Sequence, residues 1–103
     1  MNLIDKVLID SIYINSGGGK IILIELINKL EKLNLLDNFY FLFDKRLENN
    51  KEIIFNRLNH KFILAKEQFR YKFYKEKKET FSSFVCLSNV PPPIFISKPV
   101  HIF

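Results

Sequence analysis

The chain has 103 residues, 48% of them hydrophobic, and a formal net charge of +5. That length sets a single domain as the expectation, and that apolar content excludes a disordered tail or linker. Thirteen lysines against three arginines argue against a dedicated nucleic-acid partner, since readers of phosphate and base edges lean on Arg. A phosphorylated or membrane-surface ligand stays open, as does a plain Lys-rich solvated surface.

Lys6–Ile14 is rich in β-branched and aromatic residues and predicts a buried strand. It stops at Asn15-Ser16-Gly17-Gly18-Gly19, a glycine-rich turn. Over Lys20–Leu33 the period changes. Leu23, Leu26, Ile27, Leu30 and Leu33 recur at helical spacing with charged residues between them. Ser16 or a glycine supplies the N-cap region, and Asn34 ends the helix. Asn38–Phe43 is a near-continuous apolar run, as expected of a strand covered on both faces. Leu47–Asn59 is polar and Asn-rich, with one short helical turn around Ile53–Leu58. Lys61–Ala65 predicts a third strand. Glu67–Phe81 predicts a charged helix with Phe69, Phe73 and Phe81 near one face. Ser83–Leu87 predicts a fourth strand. Asn89-Val90-Pro91-Pro92-Pro93 breaks the chain, because Pro lacks a donor and restricts its predecessor. Pro99–Phe103 opens a fifth strand.

Strands alternating with helices predict an α/β, Rossmann-like domain: a mostly parallel open sheet with flanking helices. The chain stops inside the apolar run at Phe103. The reading is therefore one domain over 1–103, truncated at its carboxyl end. Cys86 is the only cysteine, so no internal disulfide can form and a reducing compartment is favoured. The opening residues lack a basic stretch followed by an apolar run, so no signal peptide is visible. The longest apolar runs, Ile21–Ile24 and Phe39–Phe43, fall far short of a membrane span. The expectation is cytoplasmic, with the inner membrane surface as a peripheral option. That option rests on the predicted second helix, which interleaves Lys66, Arg70, Lys72, Lys75, Lys77 and Lys78 with Phe69, Tyr71, Phe73 and Tyr74. The plainer reading of that helix is an aromatic face on the sheet.

The glycine-rich turn carries the sharpest chemistry. In an open α/β sheet ligands bind beyond the carboxyl ends of strands. Glycines let backbone approach a ligand closely, and the next helix offers unpaired N–H groups and partial positive charge, which suit phosphate. A P-loop fails at two positions: its first glycine would fall on Ile14, and Ile21 replaces the metal-binding hydroxyl. The dinucleotide fingerprint finds Gly17 and Gly19 but Ile22 at its third glycine. Asp44 lies roughly where a ribose-binding acid belongs, which keeps a small dinucleotide-binding domain as the alternative. A purely geometric turn with no ligand is the third option.

His60 and His101 have no Cys or His partner at metal spacing. Cys86 in an apolar strand reads as inert core. Asp5, Asp10, Asp37 and Asp44 form no D-x-D pair. No metal or cofactor is expected.

Tyr13-Ile14-Asn15-Ser16-Gly17-Gly18-Gly19-Lys20 before a Leu/Ile-rich helix resembles the start of bacterial GT-B type glycosyltransferases, similar to the large retaining family 4 of surface-polysaccharide synthesis. The resemblance continues at Phe41–Arg46, at Arg70-Tyr71-Lys72-Phe73-Tyr74 and at Val85–Ile94. It implies two Rossmann-like domains with the active site between them. The amino-terminal domain holds a saccharide or lipid-linked acceptor, and the carboxyl-terminal domain holds the nucleotide-sugar donor. By that resemblance Gly17, Gly18 and Gly19 line the cleft near the donor diphosphate, flanked by Asn15, Ser16 and Lys20, while Asn89 and Pro91 face the acceptor. The donor domain is absent from these residues, so the isolated chain is expected to be inactive, and a relic fragment is a further alternative. No catalytic residue is assigned.

Overall fold

The computed structural model describes residues 6–103. Five strands form one all-parallel sheet in the order β3-β2-β1-β4-β5, with β1 at Lys6–Ser11, β2 at Phe39–Asp44, β3 at Asn59–Ile63, β4 at Phe81–Cys86 and β5 at Val100–Ile102. Helix α1 spans Gly17–Lys32 and α2 spans Glu67–Lys77. The expected α/β, Rossmann-like architecture is what the chain adopts.

Period-2 alternation divides the strands between two cores on opposite faces. On one face Ile9, Phe41 and Phe43 meet Leu23, Ile27 and Leu30 of α1. On the other, Leu8, Leu42, Ile63 and Phe84 meet Phe73 and Tyr74 of α2. Leu8, Leu23, Phe41, Phe43 and Phe84 are fully buried, and each such side chain contributes about 1.5–3 kcal/mol. Coverage on both faces is why Val7–Ile9 of β1 and Phe39–Phe43 of β2 read as continuous apolar runs.

Several element boundaries differ from expectation for local reasons. β1 stops at Ser11, three residues short of Ile14, because the chain turns: Ile14 N donates to Ser11 O at 2.9 Å and Ile12 N to Asp10 Oδ1 at 3.2 Å. Helix α1 starts three residues before Lys20, so the glycines form its first turn. Its end is a Schellman motif. Asn34 takes φ 58°, Asn34 N donates to Glu31 O at 3.0 Å, and Leu35 N donates to Leu30 O at 2.8 Å. β3 lies two residues upstream of Lys61–Ala65, and the polar segment before it carries 3₁₀ turns at Lys45–Leu47 and Phe55–Arg57. Phe81 does not belong to the second helix. A 3₁₀ turn at Lys78–Thr80 ends the helical path, and Phe81 begins β4. The register slips between Lys6↔Phe81 and Val7↔Ser83. That bulge lets Phe81 and Phe84, three apart, enter the same core. Phe69 also departs from the expected face, since it is exposed beside buried Phe73.

Candidate functional site at the sheet switch point

In this strand order the connections leaving β1 run toward one edge of the sheet and those leaving β4 toward the other. The loops beyond the two strands also diverge across the faces. The β1 loop leads into α1 on the first core, whereas Ile94 and Ile96 after β4 pack on the second. Divergence of this kind opens a crevice at the carboxyl ends of neighbouring strands. Asn15–Lys20 beyond β1 and Asn89–Pro91 beyond β4 are the loops that flank this switch point as its two walls.

Gly17 sits at φ +66°, a conformation that disfavours any side chain. Gly18 differs: a Cβ there would meet nothing within 4 Å. At Gly19 a Cβ would meet only the Ile14 side chain, at an ordinary 3.5 Å. Packing therefore does not demand glycine at 18 or 19, and the space above the turn is open. The opening amides of α1 have no acceptor within the helix. Ser16 is extended (φ −164°), its side chain makes no capping hydrogen bond, and no acid occupies the first turn. Asn15 is half-buried and Ser16 exposed. Lys20 is drawn sideways to Glu52, with Nζ 3.0 Å from Oε1, and that hydrogen bond lowers the Glu52 carboxyl below its usual range.

The second wall is held from within. Asn89 adopts φ 56° and donates its N–H to Phe103 O at 2.7 Å. Leu87 N donates to Asp10 O at 2.9 Å. Beneath both walls lies a buried polar cluster that the sequence reading did not find. Arg70, 3% exposed, projects from α2 under the sheet edge. Its Nε donates to Asp10 Oδ2 at 2.9 Å, Nη1 to Pro91 O at 2.8 Å and Nη2 to Val90 O at 2.9 Å. Tyr74 donates its hydroxyl to the same Asp10 oxygen at 2.6 Å. The guanidinium lies 5.8 Å from the Tyr13 ring centroid and 5.3 Å from that of Tyr74. Cys86 Sγ completes the cluster, 3.8 Å from Arg70 Nη2 and 3.7 Å from the Tyr74 hydroxyl.

Burial and then the Asp10 charge raise the Tyr74 phenol, and burial foremost raises the Cys86 thiol. Both stay protonated at neutral pH, and neither is arranged as a nucleophile. Desolvation works against the Arg70 charge, but the Asp10, Tyr74 and Cys86 neighbours together raise its affinity for the proton. The signal for this cluster was present in the sequence: Asp10 is an acid inside a strand buried on both faces, where a charge needs a partner.

Among the other expected site residues, Asp44 is fully buried, and its carboxylate accepts from Arg46 N (2.9 Å), Nε (3.1 Å) and Nη2 (2.6 Å). Both oxygens are engaged, which leaves a ribose poorly served. Ile22, in place of the third fingerprint glycine, points outward at 62% exposure, so α1 does not approach β1 there in the dinucleotide manner. His60 is half-buried against Phe43, Phe55 and Phe62 with Nδ1 2.8 Å from Leu58 O, and His101 is exposed on β5. Among the described residues no group of three or more His, Cys, Asp and Glu side chains could hold a metal ion. The exposed face of α2 carries Phe69, Tyr71, Lys72 and Lys75. Among the described residues no helix is long and apolar enough to cross a membrane.

Strand order, parallel pairing and helices on both faces define the class: an α/β domain of Rossmann-like architecture with its switch point between β1 and β4. Within that class the chain matches no protein-family model, no curated protein and no solved structure.

Proposed function

We propose that this chain is the acceptor-side, amino-terminal domain of a glycosyltransferase that moves a sugar from a nucleotide-sugar donor to a saccharide or lipid-linked acceptor. In this reading the donor is held by a second domain outside these residues. The observation that carries the reading is the open, uncapped start of α1, whose Gly18 and Gly19 are not required by packing. An amide-lined helix start with no side chain above it suits a diphosphate approaching across a cleft. Its part in the chemistry would be to stabilise charge on the departing nucleoside diphosphate. In this reading Asn89 and Pro91, beyond β4, would face the acceptor. No residue of this chain is assigned to bond breaking. Peripheral contact with an anionic membrane through the lysines of α2 would suit a lipid-linked acceptor.

The test is an amide-shift titration of the ¹⁵N-labelled chain with uridine diphosphate, inorganic pyrophosphate and NAD in separate arms. Uridine diphosphate and pyrophosphate at millimolar concentration are expected to shift the Gly17–Lys20 amides. Silence in every arm sinks the site. Shifts with NAD that extend to Asp44 and Lys45, without shifts from pyrophosphate, would replace it with the dinucleotide reading.

A further inference from the structure

Arg70 touches both walls of the crevice with one planar group. Its Cζ lies 5.8 Å from the ring centroid of Tyr13, which leads into the glycine turn, and its N–H groups donate to the carbonyls of Val90 and Pro91 beyond β4. Asp10, on β1 between the two loops, fixes the third donor direction. Five N–H groups in a rigid fork make a guanidinium suited to serving several acceptors in one plane, and an ammonium cannot copy that geometry. At 3% exposure the group cannot fall back on water if one contact is lost.

We propose that Arg70 is the positioning residue that sets the spacing of the two walls, so that the Tyr13–Gly19 turn and the Leu87–Pro91 loop move as one unit. The coupling is a property of the chain itself; only its use as a gauge for a diphosphate-bearing ligand rests on the proposed function. A ligand that settles on the glycine turn is then felt on the opposite wall, and a loosened loop is felt at the turn. Each wall has a reporter amide: Ile14 N on Ser11 O for the turn, and Asn89 N on Phe103 O for the loop.

The experiment is native-state hydrogen exchange on the intact chain, which needs no ligand. In Arg70→Lys the Ile14 and Asn89 amides are both expected to exchange about tenfold faster, the effect of one hydrogen bond of typical worth. Amides of Phe41 and Leu42 in the buried core of β2 report global unfolding, so the acceleration at the two reporters is read against theirs. A folded Arg70→Lys chain with unchanged exchange at either reporter overturns the proposal. If that variant does not fold, Tyr13→Leu decides, because it keeps an apolar side chain on the second core and removes the ring beside the guanidinium. Faster exchange at Asn89 on the far wall is expected, and a change confined to Ile14 refutes the coupling. Failure of the diphosphate titration would leave these outcomes untouched.

Discussion

Arg70 Nε lies 2.9 Å from Asp10 Oδ2 across 60 residues of sequence, with side chains 4% and 1% exposed. Two charges so far from water are tolerated only because each has its partners. Arg70→Met leaves the carboxylate buried with only the Tyr74 phenol and the Ile12 amide as partners and no counter-charge, and the expected loss is about 3–5 kcal/mol. The double variant Asp10→Asn with Arg70→Met should recover part of that loss, since no net charge stays buried. Urea unfolding of the single and double variants measures both.

The glycines separate into two kinds. Gly17→Ala forces a Cβ into the left-handed region and is expected to cost about 1–2 kcal/mol. Gly18→Ala meets no neighbour. It should be neutral, or stabilising by up to about 0.5 kcal/mol, through reduced freedom of the unfolded chain. The same Gly18→Ala change puts a methyl group where the proposed diphosphate approaches, so it should weaken pyrophosphate binding while the melting temperature holds. Equal pyrophosphate affinity in the two chains would count against the site.

Alkali should unfold this protein through its buried cluster. The folded state raises the Tyr74 phenol and the Cys86 thiol, so the unfolded chain gives up these protons first. The stability they confer is complete below the ordinary values, about 8.5 for Cys and 10 for Tyr, and is lost as pH climbs beyond them. The urea midpoint is expected to hold up to about pH 8, to begin falling above about 8.5 and to fall more steeply above about 10. Tyr74→Phe should be about 1.5–3 kcal/mol weaker at neutral pH, having lost its hydrogen bond to a carboxylate. Its decline with pH should be shallower. Cys86, 1% exposed, should resist thiol reagents at pH 8 until urea unfolds the chain.

If α2 meets an anionic surface, replacing Lys75, Lys77 and Lys78 by Gln should reduce sedimentation with phosphatidylserine-containing vesicles, with no change on neutral vesicles. About 1 kcal/mol per lysine near the surface is the scale of the effect. Vesicle binding equal to wild type would remove membrane contact through these lysines.

The sheet was legible because β1, β2 and β4 announce burial through composition, and the change of period after Gly19 announces α1. Boundaries were less legible where side chains compete with backbone. Asp10 and Ser11 bend the chain away from strand geometry although Ile12, Tyr13 and Ile14 continue the β-rich run. Phe81 keeps helical spacing from Phe73 yet belongs to β4, because the bulge at Lys6/Val7 restores its inward orientation from another element. The glycine turn was found at once, being local. In the sequence Arg70 is one basic residue among many on α2 and part of the family-like stretch Arg70–Tyr74. Its partners lie on β1 and beyond β4, and local periodicity holds no record of such distant pairing.

The central position of β1 has a consequence for how the molecule comes into being. It precedes the other described strands in sequence, yet one of its two neighbours is β4, Phe81–Cys86, which is made only after β2 and β3. Until then β1 can hold only β2, and a row of its amides and carbonyls waits without a mate. Parallel pairings of this sequence span form slowly, since distant segments must meet before any contact rewards them. The nascent chain therefore carries a half-zippered apolar ribbon until β4 has emerged, and a chaperone that shields β1 during that interval would serve it better than one acting on the finished fold.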